Sequence, residues 1–367
     1  MEATATIAGD ISMTAASKRW LRMGPWYAMF PFEFALQAIR EHTQLGDAVV
    51  DPFMGRGTTL VAAASLGRHA AGVEINPIAW LYAQTKLKPA NELDVLKRLN
   101  EIDELAKTTV PGAMPEFFSW AYAPEVLKFL LAARTHLNWK DSPIDRTLMA
   151  FILVDLHGKD EVSLSNQMRQ TKSMAPEYAV RWWKGQDMSP RAKKAVEILK
   201  QKITWRYRHG LPAFQVETKV IQGDSSKKLK ETSDIGPFKL LLTSPPYYGV
   251  INYNYDQWIR GWLLGGKEHP VTSGGEWQNR FNNKADYRRL LLDVFSAAAP
   301  LLTNDAHVLV RTDAREFTLA TTLEVLKEVF PNKSVLETRR PFIGKTQTQL
   351  FGDRADKPGE VDILLIP

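Results

Sequence analysis

The chain has 367 residues, 44% hydrophobic and 24% charged, which suits about two globular domains of ~150 residues and excludes a mostly disordered protein. It holds no cysteine, so disulfides, thiolate–zinc sites and every mechanism with a cysteine nucleophile are excluded. No uncharged apolar run approaches the ~18–20 residues of a membrane helix, and 47 Lys and Arg against 41 Asp and Glu, a net charge of +6, permit a polyanionic partner without requiring one.

Residues 1–20, dominated by Ala, Thr, Ser and Gly, read as a flexible arm, with Glu2 and Asp10 where a secretory signal would carry basic residues. Residues 21–89 read as one compact unit. Glu33 to His42 predicts a helix, Ala48 to Val50 a short buried strand, residues 51–57 a glycine-containing loop, Thr58 to Leu66 a second helix and Ala70 to Ile75 a second strand. Strand, loop, helix, strand is half of a doubly wound α/β sheet. Over residues 90–215 strand signals fade. Helical stretches such as Pro124 to Leu137, Thr147 to Leu156 and Arg191 to Tyr207 predict an inserted helical subdomain. The sheet then resumes over 216–367. Thr218 to Ile221, Lys239 to Leu242, Ala306 to Val310 and Val361 to Ile366 read as strands, with helices over Tyr287 to Leu302 and Thr318 to Val329.

Two segments carry chemistry. In Asp51-Pro52-Phe53-Met54-Gly55-Arg56-Gly57-Thr58-Thr59, the two glycines let the backbone turn and approach a ligand, and the helix start offers free N–H groups. A glycine pair alone is as often a plain turn. Glu74, 23 residues after Asp51 and at the end of the next strand, sits near the ~20-residue offset at which a carboxylate meets a ribose diol. The third glycine of a pyrophosphate-binding loop is missing, so a nucleoside cofactor without pyrophosphate fits better. The second segment is Thr243-Ser244-Pro245-Pro246-Tyr247-Tyr248. Two prolines stop the strand and stiffen the chain. A Pro-Pro carbonyl beside the Ser244 hydroxyl makes a rigid acceptor pair for an amino group, and Tyr247 offers a flat stacking surface.

At these residues the chain resembles the S-adenosylmethionine-dependent amino-methyltransferases of DNA. The first segment is similar to their cofactor motif, Asp-Pro-Phe-x-Gly-x-Gly-Thr-Thr, at all its fixed positions. Ser244-Pro245-Pro246-Tyr247 matches their catalytic tetrapeptide in the serine form found mostly in cytosine-N4 members. Trp26 to Ile39 is similar to the segment flanking the methionine end of the cofactor, and Gln222-Gly223-Asp224 to the acidic turn near its adenine.

The resemblance implies a Rossmann-like class I methyltransferase sheet, mostly parallel with the last strand antiparallel, over residues 20–87 and 216–366. It implies S-adenosylmethionine held by Phe30, Pro31, Asp51, Pro52, Phe53, Gly55, Gly57, Thr58, Thr59, Glu74, Asn76 and Asp224, and catalysis by Ser244, Pro245, Pro246 and Tyr247. The expected reaction is methyl transfer to the N4 amine of a cytosine flipped out of double-stranded DNA. A restriction–modification setting, a separately acting endonuclease and a cytoplasmic location are also expected. An adenine-N6 enzyme is the nearest alternative; an RNA amino-methyltransferase and a catalytically silent cofactor-binding subunit that docks DNA are more distant ones. Cytosine-C5 methylation needs a thiolate and is excluded.

In the family that the chain resembles, the recognition region often lies between the motifs when the cofactor half comes first, which implies target recognition in the insertion. There Asn166, Arg169, Lys172, Arg181, Lys184, Lys193, Lys194 and Arg206, interleaved with Tyr178, Trp182, Trp183, Trp205 and Tyr207, are candidate DNA contacts, although charged faces are commonly just solvated and tryptophans commonly core. Residues 346–349, Thr-Gln-Thr-Gln, are a candidate loop for the flipped base. Arg311, Asp313 and Arg315 belong to the site or to a structural ion pair. The seven histidines show no metal-ligand spacing, so no metal is expected.

Overall fold

The computed structural model describes residues 14–26, 31–249, 253–271, 283–340 and 359–367. Seven strands among them, β1 (Ala48–Asp51), β2 (His69–Glu74), β3 (Thr218–Gln222), β4 (Phe238–Thr243), β5 (Leu302–Asp313), β6 (Ser334–Arg340) and β7 (Glu360–Ile366), form one sheet in the order β3-β2-β1-β4-β5-β7-β6. The pairings β3·β2, β2·β1, β1·β4 and β4·β5 are parallel. β7 runs antiparallel to both β5 and β6. This is the Rossmann-like sheet with a reversed final strand. The chain winds outward from β1 through β2 to β3, then returns to the other side of β1 with β4. The β1/β4 boundary is therefore the switch point where open α/β sheets hold ligands.

The central strands are apolar on both faces, as a sheet covered by helices on each side requires. Alternate residues part cleanly. Val49, Ala70, Leu240, Leu242 and Leu309 enter one core, and Val50, Ala71, Leu241, Val308 and Val310 the other. The first core is closed by α1 (Ala15–Leu21), α2 (Phe32–His42), α3 (Thr58–Ser65) and α4 (Pro77–Leu87). It also takes the inserted helices α5 (Glu92–Thr108), α6 (Glu116–Ala121), α7 (Pro124–His136), α8 (Pro143–Asp155), α9 (Pro176–Gly185) and α10 (Ala195–Tyr207). Beyond β3 come α11 (Ser225–Lys228) and, after β4, α12 (Tyr253–Asp256) and α13 (Trp258–Leu263), of which α13 joins the first core. The second core is closed by α14 (Lys284–Ala298) and α15 (Glu316–Val329).

The inserted helices over 90–215 share the core of the sheet: Leu99, Phe118, Leu130, Phe151 and Leu199 pack in the same cluster as Leu60, Ile78 and Leu240. Several expectations are corrected. Not all of 1–20 is a free arm. Thr14 caps α1 by accepting from the Ser17 N–H at 3.0 Å, and Trp20 is buried edge-on to Phe151 and Tyr207. The helix expected from Thr147 starts earlier, because Ser142 accepts from the Asp145 N–H and Pro143 fits the first turn. The helix expected from Arg191 starts only at Ala195, after Lys193 has turned inward. β6 carries no expected counterpart, since nearly every residue in it is exposed and no alternation marks it.

Candidate active site

The two motifs leave the sheet side by side. Val50 of β1 pairs with Leu241 of β4, so the loop after Asp51 and the loop after Thr243 start on neighbouring strand ends. A single carboxylate joins them. Asp51 Oδ1 accepts from Thr243 Oγ1 at 2.6 Å and from the Phe53 N–H at 3.0 Å, while Oδ2 accepts from Thr59 Oγ1 at 2.6 Å. Burial pushes its carboxyl up to about 6 against those three hydrogen bonds, which favour the charged form. Asp51 and Thr59 were expected against the cofactor. Their polar atoms are instead engaged with each other, and both act by positioning.

The glycine loop is held from several sides. Gly57 has φ +81°, and a Cβ there would lie 2.8 Å from the Cβ of Ala83 in α4. Gly55 is also in the left-handed region, at φ +52°. Both positions therefore need glycine. The Arg56 guanidinium donates to the carbonyls of Met23 and Gly24, at 3.2 and 2.6 Å, and the fully buried Lys86 donates to the Arg56 carbonyl at 2.9 Å. Ser225 donates to the Pro52 carbonyl, and Phe53 packs edge-on to Phe295. Among the described residues no side chain caps α3, leaving its first N–H groups, from Thr58 onward, facing the loop.

Glu74 ends β2 beside this loop. Its Oε1 accepts from the Asn76 N–H at 2.7 Å, and the Gly55 and Ile75 N–H groups also face it. Burial, with the Asp51 charge adding to it, pushes the Glu74 carboxyl up to about 7. Asn76 is corrected from cofactor contact to helix cap: it is buried and accepts from the Ile78 N–H at 2.9 Å. Asp224 stands past β3, where it accepts from the Ser226 N–H and hydroxyl at 3.0 and 2.8 Å. Pro31 lies exposed at the start of α2. Phe30 and residues 346–349 lie outside the described residues.

At the second motif Pro245 is buried, whereas Ser244, Pro246 and Tyr247 are half-buried. The two tyrosines part. Tyr248 packs against Phe317 and Tyr287, with ring centroids 4.7 and 5.8 Å away, while Tyr247 donates its hydroxyl to Glu360 Oε1 at 3.1 Å. Burial holds the Tyr247 hydroxyl well above the usual phenol range, and the carboxylate of Glu360 adds to that. Behind it, Arg311 makes a buried bidentate pair with Asp362, at 2.6 and 2.9 Å, and lies over the Phe34 ring. Asp313 pairs with Arg315 at 2.7 Å. Glu360, Lys86 and Thr243 were not singled out in the sequence. Thr243 alone had a usable signal, a polar residue closing an otherwise apolar strand.

The candidate DNA contacts divide. Asn166 is corrected, since it is buried and donates to the Trp120 and Met188 carbonyls at 3.1 and 2.9 Å. Lys193 is corrected too, donating to the Ser163 and Ser165 carbonyls and pairing with Asp160 at 2.8 Å. Arg206 is buried and donates to the Arg19 carbonyl. Trp183 and Tyr207 are core residues. Lys172 pairs with the buried Asp256, and Lys184 with Glu116 and Lys194 with Glu197 form exposed pairs. Arg169, Arg181 and Tyr178 are exposed. The loop bearing Arg169 and Lys172 is tied to the helices that follow the tetrapeptide Ser244 to Tyr247. Gln257 donates to the Thr171 carbonyl, Trp258 to that of Met174, and the Ser173 N–H to that of Asp256.

Among the described residues, no three His, Cys, Asp or Glu gather as metal ligands, and no helix is long and apolar enough to cross a membrane.

Residues 13–84, which hold the whole first motif, match the N6/N4 methylase family, described as DNA methylase. Over 78 residues the chain is 38% identical to the type II methyltransferase M.MthZI of Methanothermobacter thermautotrophicus. Over 84 residues it is 34% identical to M.MjaII of Methanocaldococcus jannaschii. These alignments take in 20% and 23% of this chain but only 22% and 16% of the relatives. Among solved structures, an rRNA methyltransferase, aviRa from Streptomyces viridochromogenes, aligns over 97% of this chain and 94% of its own at 13% identity and a TM-score of 0.36, a level at which the fold is better read from the strand order above. Over residues 13–84, then, the chain is similar to the DNA methylases of the N6/N4 family.

Proposed function

We propose that this chain is a site-specific DNA methyltransferase that moves a methyl group from S-adenosylmethionine to the N4 amine of a cytosine flipped out of the duplex. The observation that carries the reading is the Asp51 carboxylate bridging Thr243 and Thr59, which holds the cofactor loop and the catalytic loop at one sheet edge. The residues fit the cofactor. Gly55 and Gly57 leave the backbone bare, α3 begins uncapped, and Glu74 stands at the ribose offset. When bound, S-adenosylmethionine supplies the electrophilic methyl of its sulfonium.

The rest is done by the chain. The Ser244 hydroxyl and Pro245 carbonyl accept the hydrogens of the exocyclic amine. That localises the nitrogen lone pair and offsets the positive charge growing on nitrogen. The Tyr247 ring stacks on the base and favours that cationic state. No strong base is needed, because the amine proton leaves to solvent after the carbon has moved. Flipping costs a few kcal/mol and is repaid by stacking and hydrogen bonds in the pocket. Exposed Arg169, Lys172, Arg181, Lys184 and Lys194 supply phosphate contacts. The serine at position 244 favours cytosine. The type II naming of the relatives supports a restriction–modification role in the cytoplasm, with an endonuclease acting separately.

The test is to express the chain in a host lacking DNA methyltransferases, digest the DNA to nucleosides and weigh them. N4-methylcytosine is expected. N6-methyladenine alone would refute the choice of base, and unmodified DNA would refute the activity.

A further inference from the structure

Tyr247 is the one member of the catalytic tetrapeptide with a long side chain, and its far end is held by a residue 113 positions away. We propose that Glu360 is a positioning residue for methyl transfer, anchoring the far end of the Tyr247 ring through its hydroxyl. This rests on the reading above, in which that ring meets the target base.

The acceptor is unusually well fixed. Glu360 opens β7, where its backbone pairs with Asp313 of β5 on one side and with Arg340 of β6 on the other. Its second oxygen, Oε2, lies 3.6 Å from Arg311 Nη1. Arg311 is itself clamped by Asp362 and stacked over Phe34, its guanidinium carbon 3.6 Å from the ring centroid. Arg340 holds Asp362 in turn, at 2.6 Å. A chain of charge-assisted contacts thus runs from the tyrosine through three strands to α2.

A phenol ring on a loop has two soft torsions; anchoring its hydroxyl fixes the first and so the direction of the ring, while the preference of the O–H for the ring plane biases the second toward the acceptor. A carboxylate acceptor does more. By drawing on the O–H it enriches the ring in electrons, which strengthens the attraction of its face for a cation. Both effects act in the transition state, where nitrogen is positive, and neither touches the cofactor loop.

The experiment measures methyl transfer at saturating S-adenosylmethionine to duplex DNA from a host without methyltransferases. Wild type, Glu360→Ala, Glu360→Gln, Tyr247→Phe and the Glu360→Ala/Tyr247→Phe double variant are compared, with cofactor affinity measured by calorimetry. Glu360→Ala should lower kcat about tenfold and leave cofactor affinity within about twofold. Glu360→Gln, which keeps an acceptor of the same shape, should recover part of the loss. The double variant should be no slower than Tyr247→Phe, because the two residues act through one bond. The proposal is overturned if Glu360→Ala turns over at the wild-type rate, if the two losses multiply, or if Glu360→Gln loses cofactor affinity as well. A wild-type chain that transfers no methyl group refutes the enzyme reading and this assignment together, whereas full turnover by Glu360→Ala refutes the assignment alone.

Discussion

Two carboxylates at neighbouring strand ends, Asp51 on β1 and Glu74 on β2, are given different work by their surroundings. Asp51 has its oxygens bonded to Thr243, Thr59 and the Phe53 N–H, so it ties the two loops together. Among the described residues Glu74 is bonded through backbone N–H groups, which leaves acceptor capacity for hydroxyls. Burial holds it at about 7, so near neutrality the unliganded chain is a mixture of acid and carboxylate. If the ribose hydroxyls take the carboxylate, cofactor binding expels a proton below that value. Affinity should weaken toward about tenfold per pH unit below pH 7 and level off above it. Calorimetry in buffers of different ionisation enthalpy reads both the affinity and the proton released. Glu74→Gln should bind weakly at every pH with no proton released. A wild-type affinity that is flat from pH 6 to 8 would remove Glu74 from the ribose.

At the scale of elements, the helical insertion shows how much of its charge is structural. The Asn166 amide joins the ends of α6 and α9 through Trp120 and Met188, and Lys193 closes the loop beside it. Removing the Asn166 side chain leaves two carbonyls unpaired, at about 1–3 kcal/mol each. Asn166→Ala should therefore lower the melting temperature while DNA affinity per folded molecule holds. Arg181→Ala should do the reverse: unchanged melting, weaker DNA binding, and a salt dependence shallower by about one phosphate contact. Equal salt slopes for Arg181→Ala and wild type would take α9 off the DNA.

These assignments mark where sequence reasoning stopped. Residue type and interleaving flagged Asn166, Lys193 and Arg206 together with Arg181, because exposed and inward-facing polar side chains look alike until the fold is known. The β1, β2 and β4 strands and both motif loops were legible, since apolar runs ending in Gly or Pro have a local cause. β6 was not, because an exposed edge strand, Ser334-Val335-Leu336-Glu337-Thr338-Arg339-Arg340, carries no alternation. Glu360 and Thr243 acquire their roles only through partners 113 and 192 residues away.

For the molecule as a whole, the strand order puts β1 beside β4 and so brings together two motifs that the insertion separates in sequence. The insertion packs as a layer on the same core and its loop at Thr171 to Met174 is bonded to α12 and α13. The candidate DNA contacts and the loop of Ser244 to Tyr247 are thereby parts of one body. The central claim is that the β1 loop holds the methyl donor and the β4 loop does the chemistry on its acceptor. It is tested most directly by transfer of labelled methyl from S-adenosylmethionine to DNA by the full chain, beside Ser244→Ala and Tyr247→Ala, with cofactor affinity measured on the same preparations. The account predicts transfer by the wild type, and variants that keep the cofactor but lose turnover by about two orders of magnitude. Variants that lose the cofactor yet turn over normally once saturated would contradict it.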